Sequence, residues 1–175
     1  MESPLPTVLV VGGSSGTGKA VARAAAESGA FRVVIAARSA ERLAAAAAEM
    51  SNGAVETAVL DAADDAALAA FFAARGNGAF KHVAVTVGAG ANAGDFISAG
   101  NMARARAQFE GKLFVQMAVA HHAAPLVADG GSITFVSGAL AKRPGKGSAV
   151  LASANAAIDA LGRALAQTNN NPRQI

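Results

Sequence analysis

Val8-Leu-Val-Val-Gly12-Gly-Ser-Ser-Gly16-Thr-Gly18-Lys-Ala20 is the stretch whose reading decides the fold. A short apolar run leads into spaced glycines, and an alanine-rich helical pattern follows. That order predicts a strand, a tight turn and the start of a helix. Such a turn suits a pyrophosphate. Glycine lets backbone come close and tolerates positive φ. The N–H groups at a helix N-terminus point at the anion, and the helix dipole favours negative charge there. Gly12, Ser14, Ser15, Gly16, Thr17 and Gly18 are therefore the expected cofactor contacts of this turn, with Ser14, Ser15 and Thr17 adding hydroxyl donors. Gly18 would let the first helix pack closely on the sheet. The spacing is Gly-x-x-x-Gly-x-Gly rather than Gly-x-Gly-x-x-Gly. A glycine loop alone is weak evidence. The strand before it and the helix after it supply the context that the motif needs.

Outward from this turn, helical and strand patterns alternate. A helix over 17–28 ends at Gly29, a plausible C′ residue. The β-branched run 31–37 predicts a second strand, and Ser39 can cap a helix over 40–50. A third strand spans 55–60 and closes at Asp61; Asp64 or Asp65 opens a helix to about Arg75. Gly76-Asn-Gly78 is a turn before a fourth strand at 82–87, which ends in Gly88-Ala-Gly90. After a loop at 91–100, a long helical region is expected over 102–127. Asp129-Gly-Gly131 should break the chain before a fifth strand at 132–136. A basic loop at 139–147 and a last helix over 148–167 complete the pattern. Near-continuous apolar strands alternating with helices argue a parallel sheet covered on both faces. Right-handed crossovers make it doubly wound, a Rossmann-type α/β fold of about five strands. Residues 1–168 are read as a single dinucleotide-binding domain and 169–175 as a polar tail.

Composition narrows the function classes. The chain has 175 residues, one domain's worth, and 53% are apolar. Its net charge of +3 comes from 15 basic residues scattered among 12 acidic ones. No basic run is interleaved with aromatics, so a nucleic-acid partner is not expected. There is no cysteine, which excludes disulfides and thiolate metal sites. Of the three histidines, His121 and His122 lie about 100° apart on a helix and cannot chelate one metal from one face. No metal site is expected. The first residues lack a secretory pattern. No apolar run reaches ~18 residues, so no membrane span is expected; cytoplasmic location is the default expectation.

The second strand bears on the cofactor. A dinucleotide site of this type places an acidic residue about 20 residues past the glycines when it binds the ribose 2′-hydroxyl of NAD. Here Ala36 and Ala37 stand there, followed by Arg38 and Ser39. An arginine can pair with a 2′-phosphate, assisted by the Ser39 hydroxyl and helix N-terminus. NADP is therefore expected over NAD. The alternative for Arg38 is a surface arginine just beyond a strand.

Taken together, the chain resembles the short-chain dehydrogenase/reductase family. Gly12-x-x-x-Gly16-x-Gly18 matches that family's glycine spacing. Asp61 falls at its adenine contact. Gly88, Ala89 and Gly90 fall in its Asn-Asn-Ala-Gly segment, where the last two residues match. Lys112 through Pro125 aligns with a helix that usually begins Asn-Leu, and Gly131 through Asn155 with the Ser…Tyr-x-x-x-Lys region. The resemblance implies a nicotinamide cofactor, a small carbonyl or alcohol substrate and a homo-oligomer. It also implies that this chain stops short of the family's last strands.

The departures fall on the chemistry that the resemblance implies. By position, Leu151 stands for the family's tyrosine, Asn155 for its lysine, Gly138 for its serine and Lys112 for its helix asparagine. The chain contains no tyrosine at all. Leucine has no proton to give. Two candidates for the catalytic role remain. Ser137 neighbours the serine place and could orient a carbonyl; a strand-end serine without a role is the alternative. Lys112 could donate a proton if desolvation lowered its pKa; a solvated helix lysine is the alternative. Phe109, Leu113, Met117 and Ala120 form a stripe expected to be core or dimer interface. Two functions follow: an NADP(H)-dependent oxidoreductase with altered acid/base machinery, or a dinucleotide-binding protein without turnover.

Overall fold

A computed structural model describes residues 4–50, 55–88, 96 and 102–168. Five strands make one sheet: β1 (Thr7–Val11), β2 (Arg32–Ala37), β3 (Val55–Val59), β4 (Phe80–Val85) and β5 (Val127–Phe135). Their order is β3-β2-β1-β4-β5, and every neighbouring pair is parallel. The order reverses between β1 and β4, so a crevice opens beyond the carboxyl ends of those two strands. The Rossmann-type α/β fold expected from the sequence is the one observed.

Two cores explain why the sheet is covered on both faces. On one face Val8, Val10, Val33 and Ile35 pack with Ala22 and Ala26 of α1 (Gly16–Glu27) and Leu43 and Ala46 of α2 (Ala40–Ala48). On the other, Leu9, Val11, Val34, Val83 and Val85 meet Leu68 and Phe72 of α3 (Asp65–Ala73). Val115, Val119 and Ala123 of α5 (Val115–Ala123) complete that layer. Adjacent strand residues alternate between the two clusters, as the pleat requires. Both faces are buried, so the strands read as continuous apolar runs.

Two stretches differ from the sequence reading. Asp129-Gly-Gly131 does not break the chain before the fifth strand; it is a bulge inside β5. The pairing with β4 slips there, from Phe80↔Val127 to His82↔Ser132. Gly130 takes φ +66°, and a Cβ on Gly131 would overlap the Lys81 carbonyl. Glycines thus keep the strand going through the bulge instead of ending it. The helical region from 102 is also not one regular helix. α4 (Met102–Phe109) passes into a π-helical segment, Glu110–Phe114, then into α5 and a 3-10 turn at Ala124–Leu126. The wide turn rotates the face after it. Of the expected apolar stripe, Leu113 and Ala120 are buried, but Met117 is 41% exposed.

The last helix, α6 (Ala149–Thr168), packs against α4, the π segment and β5. It is the one helix among the described residues long and apolar enough to cross a membrane, a test that its alanines satisfy. Its Asp159 and Arg163 both contribute to an electrostatic cluster rather than to an apolar surface.

Candidate functional site

A cleft of about 730 Å³ lies at the carboxyl ends of the strands. Its floor is the turn between β1 and α1. The Gly12 N–H donates to the Ala36 carbonyl at 2.8 Å, which ties the turn to the end of β2. Thr86, just past β4, donates its hydroxyl to the Val11 carbonyl at 2.8 Å. That threonine presses on the turn from the other side. A Cβ on Gly12 would stand 2.7 Å from Thr86 Oγ1, and one on Gly18 would overlap both Thr86 Oγ1 and the Gly12 carbonyl. Gly18 is therefore a packing requirement, as expected. Gly16 differs: its φ is +52°, and the space where its Cβ would point is open. The open side faces the cleft that Gly16 lines.

The three helices that start near this cleft begin differently. Ser39 caps α2, accepting from the Arg42 N–H at 3.2 Å, and Glu41 adds negative charge to the first turn. Asp64 caps α3, accepting from the Ala67 N–H at 3.1 Å, with Asp65 in its first turn. At α1, Ser15 sits at the N-cap with no side-chain capping bond, and no acidic residue occupies the first turn. The leading N–H groups of a helix have no partner within it. At α1 alone of the three, neither a cap nor a carboxylate competes with an external anion. A helix start of this kind suits a phosphate group in both charge and geometry.

Beyond the glycine turn the cleft divides into two ends. One is lined by Ala37, Arg38, Ser39, Arg42, Asp61, Ala62 and Ala63. Arg38 and Ser39 stand where the sequence placed them. Arg42 was not foreseen; three residues beyond the cap, it belongs to the first turn of α2, and that spacing was the available signal. The Asp61 carboxylate accepts from the Ala63 N–H at 3.0 Å, closing the turn that forms this wall. The two guanidinium groups have no salt-bridge partner among the described residues.

The other end is lined by Thr86, Val87, Gly88, Gly111, Val115 and Val136. Ala89 and Gly90, also expected to touch cofactor, lie outside the described residues. Behind this wall sits Lys112, 9% exposed on the π segment. A Cβ on Gly88 would stand 3.3 Å from Lys112 Nζ. The alternative of a solvated helix lysine is thus corrected: the π turn points Lys112 inward, and burial pushes its pKa below the usual lysine range. Gln116 is fully buried, and its Nε2 donates to the Val87 and Val136 carbonyls at 3.2 and 3.1 Å. It ties together the segments just past β4 and β5. Asn155 is buried against Gly138, and a Cβ on Gly138 would stand 2.8 Å from Asn155 Nδ2. The positions that resemble the family's serine and lysine therefore do adjoin in space. Leu151 lies one helical turn before Asn155 and is half-buried.

Ser137 is not part of the cleft lining. Its hydroxyl bonds the Asp159 carboxylate on α6 and, as the largest influence, holds that carboxyl below its usual range; Lys142, with Nζ 3.6 Å from Asp159 Oδ2, adds to the effect. Two of the histidines make polar contacts away from the cleft lining. His82 Nδ1 is 2.9 Å from Ser132 Oγ, and His122 Nε2 is 2.8 Å from Asp65 Oδ1. Among the described residues no group of three or more His, Cys, Asp or Glu side chains can hold a metal.

Comparison with known proteins places this geometry. The family model described as short chain dehydrogenase matches residues 6–173. A curated protein from Stachybotrys chlorohalonatus, the short-chain dehydrogenase/reductase ATR9, is 33% identical over 91% of the chain. The chain spans 67% of that relative's length. A solved short-chain dehydrogenase/reductase from Serratia marcescens superimposes with a TM-score of 0.79 at 27% identity, covering 93% of this chain and 67% of its own. A dehydrogenase/reductase from Sinorhizobium meliloti shares the fold with a TM-score of 0.82 at 22% identity, over 93% of this chain and 66% of its own.

Proposed function

Because the chain belongs to the short-chain dehydrogenase/reductase family of oxidoreductases, which use nicotinamide dinucleotides, we propose that it is an NADP(H)-dependent member acting on a small carbonyl or alcohol. The observation that carries the cofactor reading is the pair Arg38 and Arg42 beside the capped start of α2, with Ala37 in place of an acid. A 2′-phosphate between them gains charge-assisted bonds, whereas a bare ribose leaves two cations without a counterpart. The dinucleotide spans the cleft with its pyrophosphate over Gly12–Gly18. The bound cofactor supplies the hydride. The chain's own residues position it and exclude water around Val87, Val115 and Val136.

Acid/base chemistry departs from the family pattern. Leu151 and Asn155 stand at the tyrosine and lysine places, and the chain has no tyrosine to substitute. Of the two candidates, the Ser137 hydroxyl is engaged by Asp159, which leaves Lys112 as the group able to hold a proton near Gly88. Turnover is expected to be slow, because one buried amine replaces a tuned pair. A second reading, dinucleotide binding without turnover, is favoured by the half-buried Leu151 where a donor would sit. One experiment separates them: NADPH binding followed by nicotinamide fluorescence, beside NADPH oxidation with a panel of aldehydes and ketones. Binding with slow oxidation that Lys112→Met abolishes supports the first reading. Binding without oxidation supports the second. Absence of binding removes both.

Self-association is part of the proposal. Phe114 and Met117 are 47% and 41% exposed on one helical segment, and β5 is a sheet edge among the described residues. Exposed apolar side chains and an unpaired edge each favour a partner. Light scattering across a dilution series should show a dimer or larger species; a monomer at high concentration would remove this element.

A further inference from the structure

Lys112 is a buried amine, and among the described residues no carboxylate is paired with it. Burial alone shifts its pKa; no charged group contributes. Three buried amide side chains lie on the elements that pack with its segment. Gln108, one turn earlier on α4, is 3% exposed, and neither its Oε1 nor its Nε2 has a partner among the described residues. Asn155 on α6 and Gln116 on α5 each bury a carbonyl oxygen without a partner as well. Among the nearest ionisable groups, Glu110 is exposed on the same segment. On α4, Arg104 and Arg106 are exposed too. On α6, Asp159 is committed to Ser137 and Lys142. Among the described residues on β5 and past β4, no ionisable side chain lines this end of the cleft.

The position of this cation follows from the two ends of the cleft. Arg38, Arg42 and Asp61 mark the adenosine end, and Gly12–Gly18 the pyrophosphate. A dinucleotide laid along them must bring its nicotinamide ring to the Val87, Gly88 and Val136 wall, where Lys112 Nζ approaches Gly88. The oxidised ring carries a formal positive charge, and the reduced ring is neutral. Two unit positive charges a few ångströms apart repel strongly wherever water cannot screen them.

We propose that Lys112 makes this cleft discriminate between the redox states of its dinucleotide, holding the reduced form more tightly than the oxidised one. The inference rests on the dinucleotide reading above and adds a property to it. The amine need not touch the ring for this effect, because the interaction is between charges.

Isothermal titration of NADPH, NADP+ and adenosine 2′,5′-bisphosphate against the parent, Lys112→Met and Lys112→Arg tests this at one pH near neutrality. The bisphosphate has the adenosine end alone and reports on that end separately. The parent should bind NADPH roughly tenfold or more tightly than NADP+. Lys112→Met should shrink that ratio severalfold, chiefly by tightening NADP+, and leave the bisphosphate unchanged. Lys112→Arg should preserve it. Methionine has a similar length and removes an uncompensated charge, so this variant should melt no lower than the parent; if it does not fold, Lys112→Gln carries the test. An unchanged ratio with all three probes still binding overturns the proposal and leaves the dinucleotide reading standing. Failure of the bisphosphate and both dinucleotides to bind the parent overturns that reading, and the proposal with it.

Discussion

The two ends of the cleft are built by different rules. The adenosine and phosphate end comes from three short segments, each a strand end followed at once by a helix start. Its working parts are local: a glycine turn, an N-cap, an Asx turn closed by Asp61. The other end is assembled from residues far apart in the chain. Gly88 meets Lys112, Gly138 meets Asn155, and Gln116 joins Val87 to Val136. By the resemblance read from the sequence, the glycine turn keeps the family's spacing, while Leu151 and Asn155 stand at the tyrosine and lysine places. Binding an anion needs only backbone N–H groups and a charge, which many side chains tolerate around them. Proton transfer needs one donor at one place, so a single substitution removes it. The phosphate end can thus persist while the chemistry at the other end changes.

The sharpest way to break this contrast is at Gly18. Gly18→Val should cost roughly 1–3 kcal/mol of stability through overpacking against Gly12 and Thr86 and abolish NADPH binding. Thermal melts and fluorescence titration read the two effects. Gly88→Ala is the counterpart at the other end. Its Cβ meets only the flexible tip of Lys112 at 3.3 Å, so it should bind NADPH nearly as the parent does. Equal damage from both would show that the two ends are not built differently.

The next effect is a gain. Leu151→Tyr with Asn155→Lys should raise carbonyl reduction by about 10²–10⁴-fold if the missing donor is the main defect. Adding Gly138→Ser requires Asn155 to have moved, since a Cβ there stands 2.8 Å from its amide nitrogen; the lysine variant removes that obstacle. Steady-state rates that stay at the parent's level would show that this end has lost more than its acid.

Arg38→Ala tests the adenosine end more gently. Losing a charge-assisted contact with the 2′-phosphate should lower the preference for NADP(H) over NAD(H) by roughly ten- to a hundredfold, the equivalent of about 1.5–3 kcal/mol. Arg42→Ala should act in the same direction. Competitive titration with both cofactors decides it, and a preference that survives both substitutions places the 2′-phosphate elsewhere. The smallest effect is Ser39→Ala. Without the cap that accepts from Arg42 N–H, stability should fall by about 1 kcal/mol. A denaturant titration showing no change would mean that the α2 start is held by the cleft wall rather than by its cap.

What the sequence disclosed follows the same division. The alternation of strands and helices, the cap at Ser39 and the close packing of Gly18 were legible because each leaves a signal within a few residues. Two features were not. The π segment leaves no local signature in Phe109-Glu-Gly-Lys-Leu113, yet it decides that Lys112 is buried and Met117 exposed. The bulge at Asp129-Gly-Gly131 reads as a break because glycine serves both purposes. Ser137 illustrates the remaining limit: its place at a strand end was evident, but its engagement depends on Asp159, more than twenty residues later.

The π segment also makes the chain sensitive to counting. A π turn holds an additional residue within an otherwise α-helical path. Removing one residue from it, such as Gly111, would let the path run straight and turn everything before it by about 100° against everything after it. Gln108 would leave its buried position, while α5 kept its own seat on the sheet. The length of this segment is therefore a rotary setting. A one-residue insertion or deletion here would re-aim a whole face of the cleft wall, a change that no single substitution on α4 could reproduce.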